Sequence, residues 1–245
     1  MAIATFLAMT AAEMRNISAF PSKTAWMACH FSPYGLGLSN LPKDLPPGSL
    51  LMVDDITPPH GHDPGLIAWQ LSVCAEELQC HGVLLDFQRE DNNETQTLVK
   101  HLVQALPCPT VVSAPYAYDL DCPVFLPPVP PSVTLHEHFT PWKGHSIWLE
   151  LGLEGEILTL TEQGCQVNSL PCPDLDAEGF SENQLHCHYT VGLTEKSARF
   201  TLWRTAENLE QLLREADTSG VAGAVGLYQE LGKFARQSRG GWMVQ

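Results

Sequence analysis

His81-Gly82-Val83-Leu84-Leu85-Asp86-Phe87-Gln88-Arg89-Glu90 is the stretch on which the fold of this 245-residue chain turns. It follows an amphipathic segment, starts apolar, and gathers acidic and amide groups toward its end. Alternate side chains of a strand share a face. Val83, Leu85 and Phe87 therefore point one way, and Leu84, Asp86, Gln88 and Glu90 the other. Both faces are apolar at the start, as in a strand covered on both sides. One face turns polar where the strand ends, and in α/β barrels and open α/β sheets ligands sit at that end. A buried strand whose Asp86 only caps the next loop would read the same way.

Moving outward, Asp63 followed by Pro64 signals a helix start, N-cap then Pro at the first helical position. Ile67, Leu71, Cys74 and Leu78 form one stripe of that helix. Downstream, Asn93 caps a second helix with Leu98, Leu102, Val103 and Leu106 inward, stopped by Pro107 and Pro109. Strands are expected at Thr24–Phe31, Ser49–Asp54 and Thr110–Ala114, with a fifth short one within Cys122–Pro131. This β-α-β-α-β order specifies a parallel sheet with helices packed on it. The ends and the middle read differently. Residues 1–22 suggest a helix through Met14. Ser146–Glu150, Glu156–Glu162 and Cys165–Val167, separated by glycines, suggest a small antiparallel insertion at roughly 146–168. Pro171–Asn183 reads as a loop, and His186–Val191 can pair with Ala198–Thr205. A helix carrying Leu209, Leu212, Leu213 and Ala216 precedes a final strand, Ala222–Tyr228. No repeat or linker interrupts the chain, so a single domain over 1–245 is expected.

The net charge of −15, from 13 basic and 28 acidic residues, excludes a nucleic-acid partner, because phosphate contacts need clustered Lys and Arg. It suits a neutral or cationic ligand. No run reaches the ~18–20 apolar residues of a membrane span, so no membrane partner is expected. Met1–Met9 is apolar, but its first cation is Arg15, which makes it a poor secretion signal. A cytoplasmic protein is expected, with most of its 8 cysteines serving as buried thiols rather than disulfides. Phosphate-cradling and nucleophile-elbow motifs are absent, and no cofactor is expected.

His81-Gly82-Val83-Leu84-Leu85-Asp86-Phe87-Gln88 resembles the catalytic strand of glycoside hydrolase family eighteen, the chitinases and endo-N-acetylglucosaminidases. That family carries Asp-Gly-x-Asp-x-Asp-x-Glu on the fourth strand of a (β/α)8 barrel. Gly82 and Asp86 match; His81, Leu84 and Gln88 stand where the first Asp, the second Asp and the acid Glu would be. Val221–Tyr228 is similar to the family's closing strand, whose aromatic residue floors the sugar site, with Tyr228 as the nearest equivalent. The resemblance implies an α/β fold of the TIM-like (β/α)8 type, which could be incomplete or irregular, with an N-acetylhexosamine-type glycan at its C-terminal mouth. In the family's mechanism the substrate's acetamido oxygen attacks the anomeric carbon while a protonated Glu donates to the leaving oxygen. A Gln amide cannot release that proton. With Gln88 in the acid slot the family chemistry is expected to be lost, leaving a cleft that hydrogen-bonds a sugar.

Other readings stay open. Glu90, of the same strand parity, could restore a two-carboxylate hydrolase with Asp86, Asp54, Asp55 or Asp119. The His-x-His pairs His60/His62, His136/His138 and His186/His188 could share a metal, because such a pair on a strand puts both rings on one face. His60, His62, His186 and His188 are the metal candidates, against the plain alternative of hydrogen-bonded histidines. Asp54, Asp55, Tyr116, Trp142 and Tyr228 are the candidate ligand contacts, Trp142 as a loop residue able to stack on a sugar. A structural or interaction protein with an empty pocket is the third possibility, and the sequence leaves the oligomeric state open.

Overall fold

The computed structural model describes residues 3–17, 20–21, 23–89, 92–170 and 179–237. Its strands are β1 (Ala4–Met9), β2 (Thr24–Phe31), β3 (Leu38–Ser39), β4 (Leu50–Asp54), β5 (Gly82–Asp86), β6 (Thr110–Ser113), β7 (Val124–Leu126), β8 (Ile147–Leu151), β9 (Gly155–Thr161), β10 (Gly164–Leu170), β11 (Phe180–Glu182), β12 (Cys187–Leu193), β13 (Ser197–Trp203) and β14 (Gly223–Leu227). The helices are α1 (Ala11–Asn16), α2 (Pro64–Glu77), α3 (Asn93–Ala105), α4 (Ala114–Ala117), α5 (Leu135–Phe139), α6 (Ala206–Thr218) and α7 (Tyr228–Gln237). Eight parallel strands, in the order β1-β2-β4-β5-β6-β7-β8-β14, close on themselves through β14 pairing with β1. This is a TIM-like (β/α)8 barrel, and β5, with Asp86 at its tip, is its fourth strand.

The pleat separates two apolar layers. Phe6, Leu50, Met52, Leu84, Val111, Phe125, Trp148 and Val225 fill the lumen. Leu7, Leu51, Val53, Val83, Leu85, Val112, Leu149 and Leu151 face outward and pack with Ile67, Leu71, Leu98, Leu102, Leu209 and Leu212 of the helices. Strands covered on both faces must be apolar throughout, as β5 is until Asp86. The alternation read from that stretch holds, with Leu84 inward and Val83, Leu85 and Phe87 outward.

Asp63 caps α2, its carboxylate accepting from Gly65 N at 2.9 Å, with Pro64 in the first turn. The cap of α3 is Asn92 rather than Asn93, accepting from Thr95 N at 2.9 Å. The N-terminal segment differs from its sequence reading: Ala4–Met9 is a strand, not helix. A barrel strand buried on both sides is apolar at every position and so carries no period to distinguish it from a short buried helix. The helix starts only at Ala11, where Thr10 and Glu13 form a reciprocal capping box.

The middle of the chain also departs from expectation. Ile147–Leu151 is the seventh barrel strand, parallel to β7 and β14, and not part of an antiparallel meander. The antiparallel sheet runs from 155 to 203 in the order β10-β9-β13-β12-β11 and is inserted after β8. It includes Phe180–Glu182, read from sequence as loop; positions 171–178 of that loop lie outside the described residues. The pairing of β12 with β13 across Thr194–Lys196 is as expected.

Arg204 joins the insertion to the barrel. It is 5% exposed and donates to the carbonyls of Val129, Pro130, Leu185 and His186. Burial holds its guanidinium down at about 10. Among the described residues, no helix is long and apolar enough to cross a membrane.

Candidate functional site

The lumen residues of β4, β5 and β8 change from apolar to acidic at the same level. Met52 is followed two positions on by Asp54, Leu84 by Asp86, and Trp148 by Glu150. Asp54 and Asp86 sit side by side in the β4–β5 register. All three carboxylates, with Asp55 and Gln88, line one cavity of about 250 Å³ at the barrel's C-terminal mouth. Met27, Met52, Phe125, Val225 and Leu227 give that cavity its apolar wall and floor.

The end of β5 is pinned from both sides. Asp55 is buried at 4% exposure, and its carboxylate accepts from Gln88 N and Arg89 N, both at 3.0 Å. Arg89 returns the contact, donating from Nε to Asp55 O at 2.7 Å and from Nη2 to Ile56 O at 2.6 Å. On the other flank Ser113 Oγ accepts from Phe87 N at 3.0 Å, and Tyr116 Oη donates to Arg89 O at 3.1 Å. Gln88 is thereby fixed at the mouth, where its side-chain amide donates to Asp86 Oδ1.

The electrostatics follow from acid groups gathered against apolar walls. Burial pushes the Asp86 carboxyl above the usual range; the Gln88 amide opposes this, and Asp55 and Asp54 add to it. Burial also raises Asp54, against the hydrogen bond it accepts from Ile56 N at 3.0 Å. Glu150 moves most, to about 7, through burial first and then the charges of Asp86, Glu154 and Glu230. The sequence reading misses Glu150 because it places Ser146–Glu150 in the antiparallel insertion. As a barrel strand, Ile147-Trp148-Leu149-Glu150-Leu151 shows the same apolar-then-acidic lumen face as β4 and β5.

The sequence-predicted residues divide clearly. Asp54, Asp55, Asp86 and Gln88 come together at the cavity, although both carboxylate oxygens of Asp55 are engaged with backbone. Tyr116 is 1% exposed, edge-on to Phe87 in the outer layer, and cannot reach a ligand. Tyr228 has the opposite parity to Leu227 and packs against the helix-side core. Trp142 precedes the start of β8, at the end of the barrel away from the mouth, with its ring near Tyr118 and His145. Glu90 lies outside the described residues.

The histidine pairs serve separate local contacts. His60 pairs with Glu94, and His62 Nε2 lies 3.0 Å from Ser32 O with its ring against Phe31. His138 Nε2 lies 3.1 Å from Pro127 O. His186 pairs with Glu215 at 2.7 Å, and His188 stacks on Trp203. Among the described residues, no group of three or more His, Cys, Asp or Glu side chains could hold a metal ion.

No family model and no curated protein matches the sequence. Solved structures do match. A chitinase from Chromobacterium violaceum superposes with a TM-score of 0.55 at 12% identity, over 92% of this chain and 93% of its own. The Bacillus cereus spore cortex-lytic enzyme SleL gives 0.55 at 10% identity, over 91% of this chain and 70% of its own. A family-eighteen chitinase from Cycas revoluta, crystallised as a mutant with (GlcNAc)4, gives 0.55 at 11% identity, over 91% and 94%. At these identities the likeness is one of fold: the chain has a TIM-like barrel distantly similar to those of the family-eighteen chitinases.

Proposed function

We propose that the mouth of the barrel binds a carbohydrate of the N-acetylhexosamine type, and that the family's acid step is absent from strand β5. One observation carries this reading: Gln88 is clamped at the mouth by Asp55 and turns its amide onto Asp86 inside the cavity. An amide there can hydrogen-bond a sugar but has no proton to release near neutral pH. Several acceptors converge above an apolar floor of Phe125, Val225 and Leu227, which is how sites for small polar ligands are built. The cavity volume, about 250 Å³, is just below the ~300–1,000 Å³ common for ligand pockets. It suits one sugar ring within the mouth, with the rest of an oligomer outside. The net charge of −15 is compatible with such an uncharged ligand.

Titration calorimetry with N-acetylglucosamine oligomers, and with glucose oligomers as the control, tests the reading. Binding is expected for the N-acetylated series, weakened at least ~10-fold, about 1.4 kcal/mol, by Asp86→Ala. Equal affinity of wild type and Asp86→Ala, or no binding of the N-acetylated series, contradicts it.

A further inference from the structure

We infer that Glu150 supplies the proton Gln88 cannot, acting as general acid and then base in glycoside hydrolysis at this cavity, with Asp86 opposing the positive charge that develops at the anomeric carbon. The inference rests on the carbohydrate reading above, and adds to it a reaction and a residue on the seventh strand.

Asp86 is the last lumen residue of the fourth barrel strand and Glu150 that of the seventh, so they approach one cavity from different walls. A sugar ring lodged in the cavity meets both carboxyl groups, the pair of groups that glycoside hydrolysis uses. The other mouth carboxylates are committed: Asp55 holds the backbone of Gln88 and Arg89, Asp54 holds Ile56 N, and Asp86 takes the Gln88 amide. Among the described residues, no donor or cation pairs with Glu150. The charged groups that face it are Asp86 from β5, Glu154 just past its own strand and Glu230 from α7, all of one sign. Such surroundings favour the neutral carboxyl at Glu150, whereas at Asp86 the Gln88 amide opposes the rise that burial causes.

The step balances with water alone. The Glu150 proton passes to the glycosidic oxygen, the C1–O bond breaks, and its electron pair leaves on that oxygen. The Asp86 carboxylate opposes the positive charge at C1. Water then adds its oxygen to C1 and returns a proton to Glu150. One glycosidic bond and one water become two hydroxyl-bearing sugars.

The experiment measures reducing-end release from N-acetylglucosamine oligomers between pH 4 and 9, beside calorimetric binding of the same oligomers. Wild type should turn over with a rate that falls as pH rises through about 7, where Glu150 loses its proton. Glu150→Gln should lose ~10²–10⁴-fold in kcat, the usual contribution of a general acid, while still binding the oligomer. Glu150→Asp should retain partial activity with the falling limb displaced in pH, which a merely structural role would not produce. Binding without turnover at any pH, or unchanged kcat in Glu150→Gln, overturns the inference and leaves the binding reading standing. Absence of both binding and turnover overturns the two together.

Discussion

At the scale of single residues, the mouth carries two kinds of carboxylate. Asp55 is structural, because its buried carboxylate accepts from the backbone amides of Gln88 and Arg89 and so fixes the end of β5. Glu150 is its opposite, a carboxyl surrounded by charges of its own sign. Its pKa rises from an ordinary 4.5 to about 7. Between those values the folded protein binds the proton more tightly than the unfolded chain, so stability is lost as pH rises through that window. Every tenfold difference in proton affinity between the two states corresponds to ~1.4 kcal/mol, and partial solvation reduces the total. Glu150→Gln is therefore expected to be more stable than wild type by ~1–2 kcal/mol at pH 8 and no different at pH 4, as measured by urea denaturation at the two pH values. Equal stability at both would show that the ionised side chain finds solvent.

Secondary-structure elements show where sequence patterns succeed. The β5 stretch is legible because its apolar-to-acidic change lies on one parity, α2 because a 3.6-residue stripe and a capping residue agree, and α3 and α6 through the stripe alone. β1 is not legible: Ala4–Met9 is buried on both sides and short, so neither period nor length distinguishes strand from helix. The Thr10–Glu13 capping box is the local signal that marks the true helix start. β8 reads as part of the insertion because the glycines Gly152 and Gly155 follow it, and with β8 goes Glu150, the residue on which the catalytic inference depends. Tyr228 fails for a simpler reason, being one residue out of register with the lumen face. Strand β5 also depends on a close approach at its start. A Cβ on Gly82 would stand 2.4 Å from Pro109 O, a backbone atom with little freedom to move. Gly82→Ala should cost ~1–3 kcal/mol by forcing β5 away from β6, as read by the urea midpoint. A midpoint unchanged from wild type would mean that the two strands separate without cost.

For the whole molecule, the buried cation Arg204 links the barrel to its five-stranded insertion, beside His186 on Glu215 and Glu156 on Ser132 N. Removing it leaves the carbonyls of Val129, Pro130, Leu185 and His186 without their donor. Arg204→Ala is expected to lower hydrogen-exchange protection in β12 and β13 while β4, β5 and β6 stay protected, because local opening follows the contacts that are lost. Uniform loss across both sheets would show a single cooperative unit. The placement of function at the mouth follows from closure of eight parallel strands, which directs every strand's C-terminal end to one face. That closure is expected only from the family resemblance, since the local pattern specifies a parallel sheet but not whether its edges meet.

Methionine-methyl NMR during titration with (GlcNAc)4 is the most direct test of the mouth as the ligand site. Met27 and Met52 line the cavity, whereas Met9 and Met14 are buried in the outer layer. The prediction is that Met27 and Met52 shift with added ligand while Met9 and Met14 do not, and that Asp86→Ala suppresses the response. Titration that leaves Met27 and Met52 unmoved, or moves only Met9 and Met14, would contradict a glycan seated between Asp86 and Glu150.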